Sequence, residues 1–328
     1  MSSEGTEEQS QSSGRSMRDR KRPNYRKMAD VDEEPKKRGR PRKIPEVYTP
    51  VTYKQRPIIL FTHPRSCSTA FEKAVHQLSG VEVEHEPYSQ AFYYSSDRRT
   101  KNPGYTERPM NNKARTYKKV TAHLLRHTEQ GRRVFAKDMA YYCHKNTPGA
   151  HFTVDEEVMT QLAQGGADFV FLIRKPEKAI ASLDRMQKRF PEHYESGFQA
   201  EEVGIKELRD TFLYVRDTLK LPVVVIDADD LLNHPDKVLP LFCEAVQLTY
   251  TSSMINWSSK APPMAWNEWK GWHEEAINST TFVPPSNDGP QEQDFYNEDS
   301  ERARDVRRAL EDSQEAYAEM WSQRMVVA

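Results

Sequence analysis

The stretch Arg56-Pro-Ile-Ile-Leu-Phe-Thr-His-Pro-Arg-Ser-Cys-Ser-Thr-Ala-Phe-Glu-Lys-Ala-Val75 constrains this chain more than any other. Its apolar run, Ile58 to Phe61, reads as a buried strand, and His63-Pro64 breaks it into a short polar loop, Arg65 to Thr69. A helical pattern follows, with Phe71, Val75 and Leu78 at helical spacing. A strand that turns tightly into a helix N-terminus offers free backbone N–H groups and the positive end of a helix dipole to an anion. Arg65 adds a fixed charge, and Ser66, Ser68 and Thr69 add hydroxyl donors. The segment predicts a loop that grips phosphate or sulfate, although an ordinary strand and capped helix would carry the same pattern.

The type of loop follows from what it lacks. A nucleoside-triphosphate loop needs Gly-x-x-x-x-Gly-Lys-Ser/Thr, and no glycine lies between Phe61 and Lys73. A cysteine-phosphatase loop would place an arginine six residues after its cysteine, where Cys67 finds Lys73. Pro64-Arg-Ser-Cys-Ser-Thr69 instead resembles the 5′-phosphosulfate loop of the sulfotransferases, Pro-Lys/Arg-Ser-Gly-Ser/Thr-Thr. Ala167 to Ser182 repeats the strand–turn–helix form, with Arg174 at the strand end, Pro176 in the first helical turn and Ser182 eight residues after Arg174. That is the form of the family's 3′-phosphate site. Leu221 to Ile226, followed by Asp227-Ala-Asp-Asp-Leu-Leu, is similar to the family's late strand and the helix after it. The resemblance spans about residues 55–325 and is nearest the Pro-Arg-Ser-x-Ser-Thr-Ala-Phe-Glu branch of fungi and other eukaryotes.

The resemblance implies 3′-phosphoadenosine-5′-phosphosulfate as sulfuryl donor. It would be held through Arg65, Ser66, Cys67, Ser68, Thr69, Arg174 and Ser182, with Arg65 on the leaving 5′-phosphate. Cys67 stands where the family has glycine. With no triphosphate to neutralise, no metal is expected. The family's Lys-Thr-His strand reads Lys137-Asp138-Met139 here, so Lys137 matches and the histidine is missing. The family's other proton acceptor, a glutamate before a proline, matches Glu86 in His85-Glu86-Pro87, expected to face the loop from the neighbouring strand end. Glu86 is favoured over Asp138 as general base, since a carboxylate need only accept the acceptor's proton as charge leaves the nucleophile. Trp266, Trp269 and Trp272 fit core packing on a helix face. The family's closing loop contains Lys-Gly, which would put Lys270 and Gly271 beside the cofactor. Another reading is a P-loop kinase or NTPase with Asp227 ending a Walker B strand. A third is a sulfotransferase-like protein that has lost catalysis and serves on DNA.

Alternating strands and helices imply an α/β fold, a three-layer parallel sheet of the P-loop type with helices on both faces. Strands are expected at 58–61, 81–86, 134–142, 168–173 and 221–226, and helices at 155–164, 177–189, 200–219 and 301–324. Residues 55–328 would form this domain, with 283–299 a flexible connector and 88–133 a partly helical excursion over the site. Residues 1–54 hold almost no large aliphatics and read as a disordered tail. Net charge is −1 overall, yet residues 1–45 carry thirteen Lys/Arg against eight Asp/Glu. Within 36–43, Arg38-Gly39-Arg40-Pro41 resembles an AT-hook, whose arginines enter a narrow A·T-rich minor groove. The same tract fits a nuclear-localisation signal. Three widely spaced cysteines, no signal-peptide core and no apolar run long enough for a membrane point to the nucleus or cytoplasm. The sulfate acceptor, a small molecule or a macromolecule, matches no motif.

Overall fold

In the computed structural model the described residues are 56–111, 113–146, 152–257, 264–269, 271–284 and 298–327. Arg38, Gly39, Arg40, Pro41 and Lys270 lie outside them, as does most of the expected connector. The strands are β1 (Ile58–Thr62), β2 (Val81–His85), β3 (Arg133–Met139), β4 (His144–Lys145), β5 (Thr153–Val154), β6 (Asp168–Ile173) and β7 (Val223–Asp227). Five of them form a parallel sheet in the order β2-β3-β1-β6-β7, and β4 and β5 make a short antiparallel pair that the sequence pattern did not announce. The central strand β1 is buried along its whole length, as a parallel strand covered on both faces must be.

Alternation along the strands divides the core into two layers. Ile59, Phe61, Ala136, Phe169 and Phe171 face one side, covered by α4 (Tyr117–Glu129), α5 (Glu156–Gln164) and α8 (Ile205–Leu213). Ile58, Leu60, Phe135, Val170 and Leu172 face the other, under α1 (Ser68–His76), α9 (Ala228–Asn233) and α10 (Pro235–Ala245). Between these come α2 (Ser89–Tyr94), α3 (Pro103–Thr106), α6 (Pro176–Arg189) and α7 (Pro191–Tyr194); α11 (Glu274–Asn278) and α12 (Glu301–Trp321) close the chain. No helix among the described residues is long and apolar enough to cross a membrane.

Three expectations need correction. β2 does not neighbour β1, because β3 lies between them. The third strand stops at Met139, and Ala140–Cys143 forms a 3-10 turn that takes Tyr141 and Tyr142 out of the sheet. The helix expected over 200–219 is three pieces: a 3-10 turn at Ala200–Glu202, α8, and a π turn at Tyr214–Thr218. Gly204 makes the first break, with φ +71 and a Cβ position 2.7 Å from the Tyr141 ring, so only glycine fits there. The order of strands reverses between β1 and β6. That places a crevice outside their carboxyl ends, where the two anion-binding segments meet.

Candidate active site

Backbone geometry builds the first part of the site. Arg65 and Cys67 both have positive φ, 63° and 66°, on either side of Ser66. Cys67 thus adopts the left-handed conformation that glycine takes freely. The N–H groups of Ser66, Cys67, Ser68 and Thr69 have no hydrogen-bond acceptor among the described residues, as expected for the open start of α1. Ser66 itself turns inward to the Thr62 hydroxyl, which in turn donates to Leu172 O of β6. Burial pushes the Cys67 thiol above its usual range, so it is no thiolate nucleophile.

The two predicted anion segments converge. Arg65 Nε donates to Ser182 Oγ at 2.9 Å, and Arg174 Nη1 donates to Arg65 O at 2.8 Å. Arg174 Nε is buried without an acceptor. His63, which the sequence reading used only as a strand breaker, locks the two together. Its Nδ1 donates to Pro64 O, and its Nε2 accepts from Arg174 N, each at 3.0 Å. Burial pushes its pKa down to about 4, which keeps the ring neutral and able to accept.

The segment around α11 folds across this loop. Lys73 Nζ donates to Ala276 O, Ile277 O and Ser279 O at 2.8–2.9 Å, at the carboxyl end of α11, where a cation is favoured. Arg65 Nη1 donates to Trp272 O, and His273 Nδ1 meets Thr69 Oγ1 at 3.2 Å. Gly271, expected beside the cofactor, has φ +91 and lies against Phe190, whose ring a Cβ would meet at 2.7 Å. It does not line the cavity. Of the tryptophans, Trp266 is core, while Trp269 and Trp272 line the cavity.

Glu86 stands at the end of β2, with φ +43 held by an N–H bond to Lys137 O. Its Oε1 accepts from Lys137 Nζ at 2.6 Å, and its Oε2 accepts from Tyr142 Oη at 3.3 Å. Behind it lies a buried network. His85 Nδ1 sits 2.7 Å from Glu72 Oε2 and its Nε2 3.1 Å from His273 Nε2, while Trp266 Nε1 donates to Glu72 Oε1. Burial alone would raise the Glu72 carboxyl, but His85, Lys137 and Trp266 hold it below its usual value. Burial, with His85, Lys137 and Arg65 nearby, pushes His273 far down. His85, Glu86 and His273 could hold a metal by distance, but the Lys137 ammonium already supplies a cation to Glu86. Asp138 points elsewhere: its carboxylate accepts from Tyr88 N at 2.8 Å and Met139 N at 3.0 Å. Burial pushes it well up, and it does not line the cavity. Asp227 is likewise engaged, capping α9 through Asp229 N and accepting from Tyr317 Oη.

Arg65, Thr69, Arg174, Glu86 and His273 all line one cavity of about 200 Å³. Its far wall is aromatic, formed by Tyr93, Tyr105, Tyr141, Tyr142, Tyr194 and Trp269. One carboxylate sits in that wall. Glu202 accepts from Asn102 Nδ2 at 2.9 Å and Tyr194 Oη at 2.8 Å, and burial pushes its pKa up to about 7. No Lys, Arg or His among the described residues pairs with it. The sequence reading missed this wall; the tyrosine-rich composition of 88–142 was its only signal.

A family model described as a sulfotransferase domain matches residues 56–300. The chain is similar to the branched-chain-amino-acid aminotransferase-like protein 2 of Arabidopsis thaliana, 25% identical over 232 residues, covering 68% of this chain and 35% of that protein. It therefore spans about a third of that relative's length. Among solved structures it is similar to the sulfotransferase domain of the Synechococcus PCC 7002 olefin synthase, with a TM-score of 0.41 and 15% identity over 78% of this chain and 94% of that one. For a sulfotransferase from Alicyclobacillus acidocaldarius the values are 0.39, 15%, 83% and 97%. For a mouse sulfotransferase complexed with PAP they are 0.34, 10%, 61% and 61%.

Proposed function

Since this chain belongs to the sulfotransferase family, its domain match running from residue 56 to 300, we propose that it transfers a sulfuryl group from 3′-phosphoadenosine-5′-phosphosulfate to a hydroxyl or amine acceptor. The observation that carries the reading is the pairing of unbonded loop N–H groups with the Arg65–Ser182–Arg174 contact at one crevice. The loop amides and Arg65 take the 5′-phosphate. Arg174, with its unpartnered Nε, and Ser182 take the 3′-phosphate.

In the transfer, the acceptor oxygen or nitrogen forms a bond to sulfur as the sulfur–oxygen bond to the 5′-phosphate breaks in line. Arg65 and the loop N–H groups stabilise the charge that collects on the departing phosphate. Glu86, held by Lys137 and Tyr142, accepts the acceptor's proton. The products are the sulfated acceptor, 3′-phosphoadenosine-5′-phosphate and a proton. On the acceptor side, an apolar or aromatic body fits the tyrosine wall, and a basic group on it would complete Glu202, a buried carboxylate with no cation partner among the described residues.

Calorimetry tests the donor assignment. 3′-Phosphoadenosine-5′-phosphate should bind without metal, and Arg174→Ala or Arg65→Ala should weaken it at least about tenfold, the loss expected for one charge-assisted contact. Unchanged affinity in both variants, or tighter binding of Mg-ATP, overturns it. For residues 36–43 the proposal is minor-groove binding to A·T-rich DNA, placing the enzyme in the nucleus. A peptide of residues 30–46 that shifts A-tract and G·C duplexes equally would reduce the tract to a targeting signal.

A further inference from the structure

The outer face of β2 carries a cluster that the transfer reaction does not use. We propose that Glu84, His123 and His127 form a binding site for a divalent transition metal, with zinc the best match to the donor set. His123 and His127 are one helical turn apart on α4, so their rings project from the same face. Glu84 reaches them from β2. The three ligand atoms form a near-regular triangle. Glu84 Oε1 lies 3.0 Å from His123 Nε2 and 3.6 Å from His127 Nε2, and the two Nε2 atoms are 3.2 Å apart. A tetrahedral zinc ion with ligands at about 2.0–2.1 Å has ligand–ligand edges of about 3.3–3.4 Å, and these three edges scatter around that value.

The groups around the triangle favour a cation at its centre. His127 Nδ1 lies 3.0 Å from Glu82 Oε2, and Arg132 Nη1 holds that glutamate at 2.9 Å. His127 Nδ1 thus faces Glu82, which leaves its Nε2 facing Glu84 and His123. A carboxylate behind a ligating imidazole is the usual support of a metal-bound histidine. A metal ion satisfies all three atoms at once. His127 is nearly buried, with 6% of its side chain exposed, while Glu84 and His123 are 23% and 25% exposed, so an ion can enter from solvent.

The site also has a structural consequence. β2 is an edge strand, its opposite face carries His85, and Glu86 follows at its end. A metal joining β2 to α4 would clamp the strand that delivers Glu86 to the cavity.

The test uses the untagged full-length chain, stripped with chelator and dialysed. Zinc should bind at one equivalent by elemental analysis and raise the melting temperature by several degrees, and cobalt in its place should give the visible absorption of a tetrahedral site. His123→Gln/His127→Gln should lose that equivalent and the thermal shift while keeping the melting temperature of the metal-free parent. Glu82→Gln, which leaves the ligands intact, should weaken zinc about 10–100-fold. A parent that binds no zinc, or a double variant that keeps the equivalent, overturns the site. So does octahedral cobalt absorption.

Discussion

The donor side and the acceptor side of the cavity are built in opposite ways. On the donor side, two short contiguous stretches, 62–69 and 173–182, supply backbone N–H groups, a helix start and two arginines. In the proposed reaction the backbone would do much of the binding there, so Cys67 would serve in place of glycine provided its φ stays positive. On the acceptor side, Tyr93, Tyr105, Tyr141, Tyr142, Tyr194 and Trp269 come from five separated segments, and side chains define everything. Substitutions on the donor side should act through backbone conformation and charge, and those on the acceptor side through shape and a single carboxylate. Glu86 stands where the two meet.

The largest effect is therefore expected at Glu86. Glu86→Gln keeps an oxygen for Lys137 but removes the proton acceptor, so transfer to a matched acceptor should slow by roughly 10²–10⁴-fold with donor affinity retained. Asp138→Asn is the control. Both Asp138 oxygens accept backbone N–H bonds, so the variant should lose stability while activity per folded molecule stays within about threefold, far from the general-base range. A reversed pattern would move the junction of the two sides to Asp138.

How far each side could be seen in the sequence follows from the same contrast. The β1 loop and the Arg174–Ser182 stretch were legible because their form lies in local order along the chain: strand, turn, helix start. The fold was legible too, from apolar strand runs alternating with helical patterns. The tyrosine wall was not, because no local spacing relates Tyr93 to Tyr194 or Trp269, and the bends that aim them depend on Gly204 and on the end of β3 at Met139. Lys73 and His63 were missed for a related reason. Each acts on distant backbone groups, the carboxyl end of α11 and Arg174 N, that only the tertiary structure supplies.

On the acceptor side, pH offers a sharper test. A carboxyl raised from 4.5 to about 7 binds more protons folded than unfolded between those values. Its contribution therefore falls as pH rises through that window and is level above about 7. Glu207 is raised to about 7 as well, while His63 and His144, lowered to about 4, pull the other way between pH 4 and 6.5. Only the difference between parent and Glu202→Gln isolates Glu202. Relative to the parent, the variant should gain up to about 3 kcal/mol between pH 4.5 and 7 by chemical denaturation. Asn102, Tyr93, Tyr105, Tyr194 and Glu201 surround the carboxyl and stay unchanged. With 3′-phosphoadenosine-5′-phosphate bound, tetramethylammonium should bind the parent more tightly as pH rises through 7 and show no such trend in the variant. A flat difference curve would mean that Glu202 is ionised throughout the range, and a trend shared by both proteins would remove it from acceptor recognition.

The smallest effect is expected where the donor loop departs most visibly from its family pattern. Cys67 holds a left-handed backbone at φ 66°, which costs a residue with a Cβ about 1–2 kcal/mol. Glycine would relieve that strain but lose about 0.5–1 kcal/mol to the extra freedom of the unfolded chain, along with the packing of the thiol against the core under α1. These terms nearly cancel, so Cys67→Gly should change stability by less than about 1 kcal/mol and leave bisphosphate affinity within about twofold. Cys67→Val is the informative partner, because a β-branched side chain is a severe outlier at positive φ. It should lower both stability and affinity, even though valine fills about the same space. If Cys67→Gly abolished binding while Cys67→Val kept it, side-chain bulk at position 67 and not its backbone conformation would be what binding needs, and the donor side would depend on its side chains as much as the acceptor wall does.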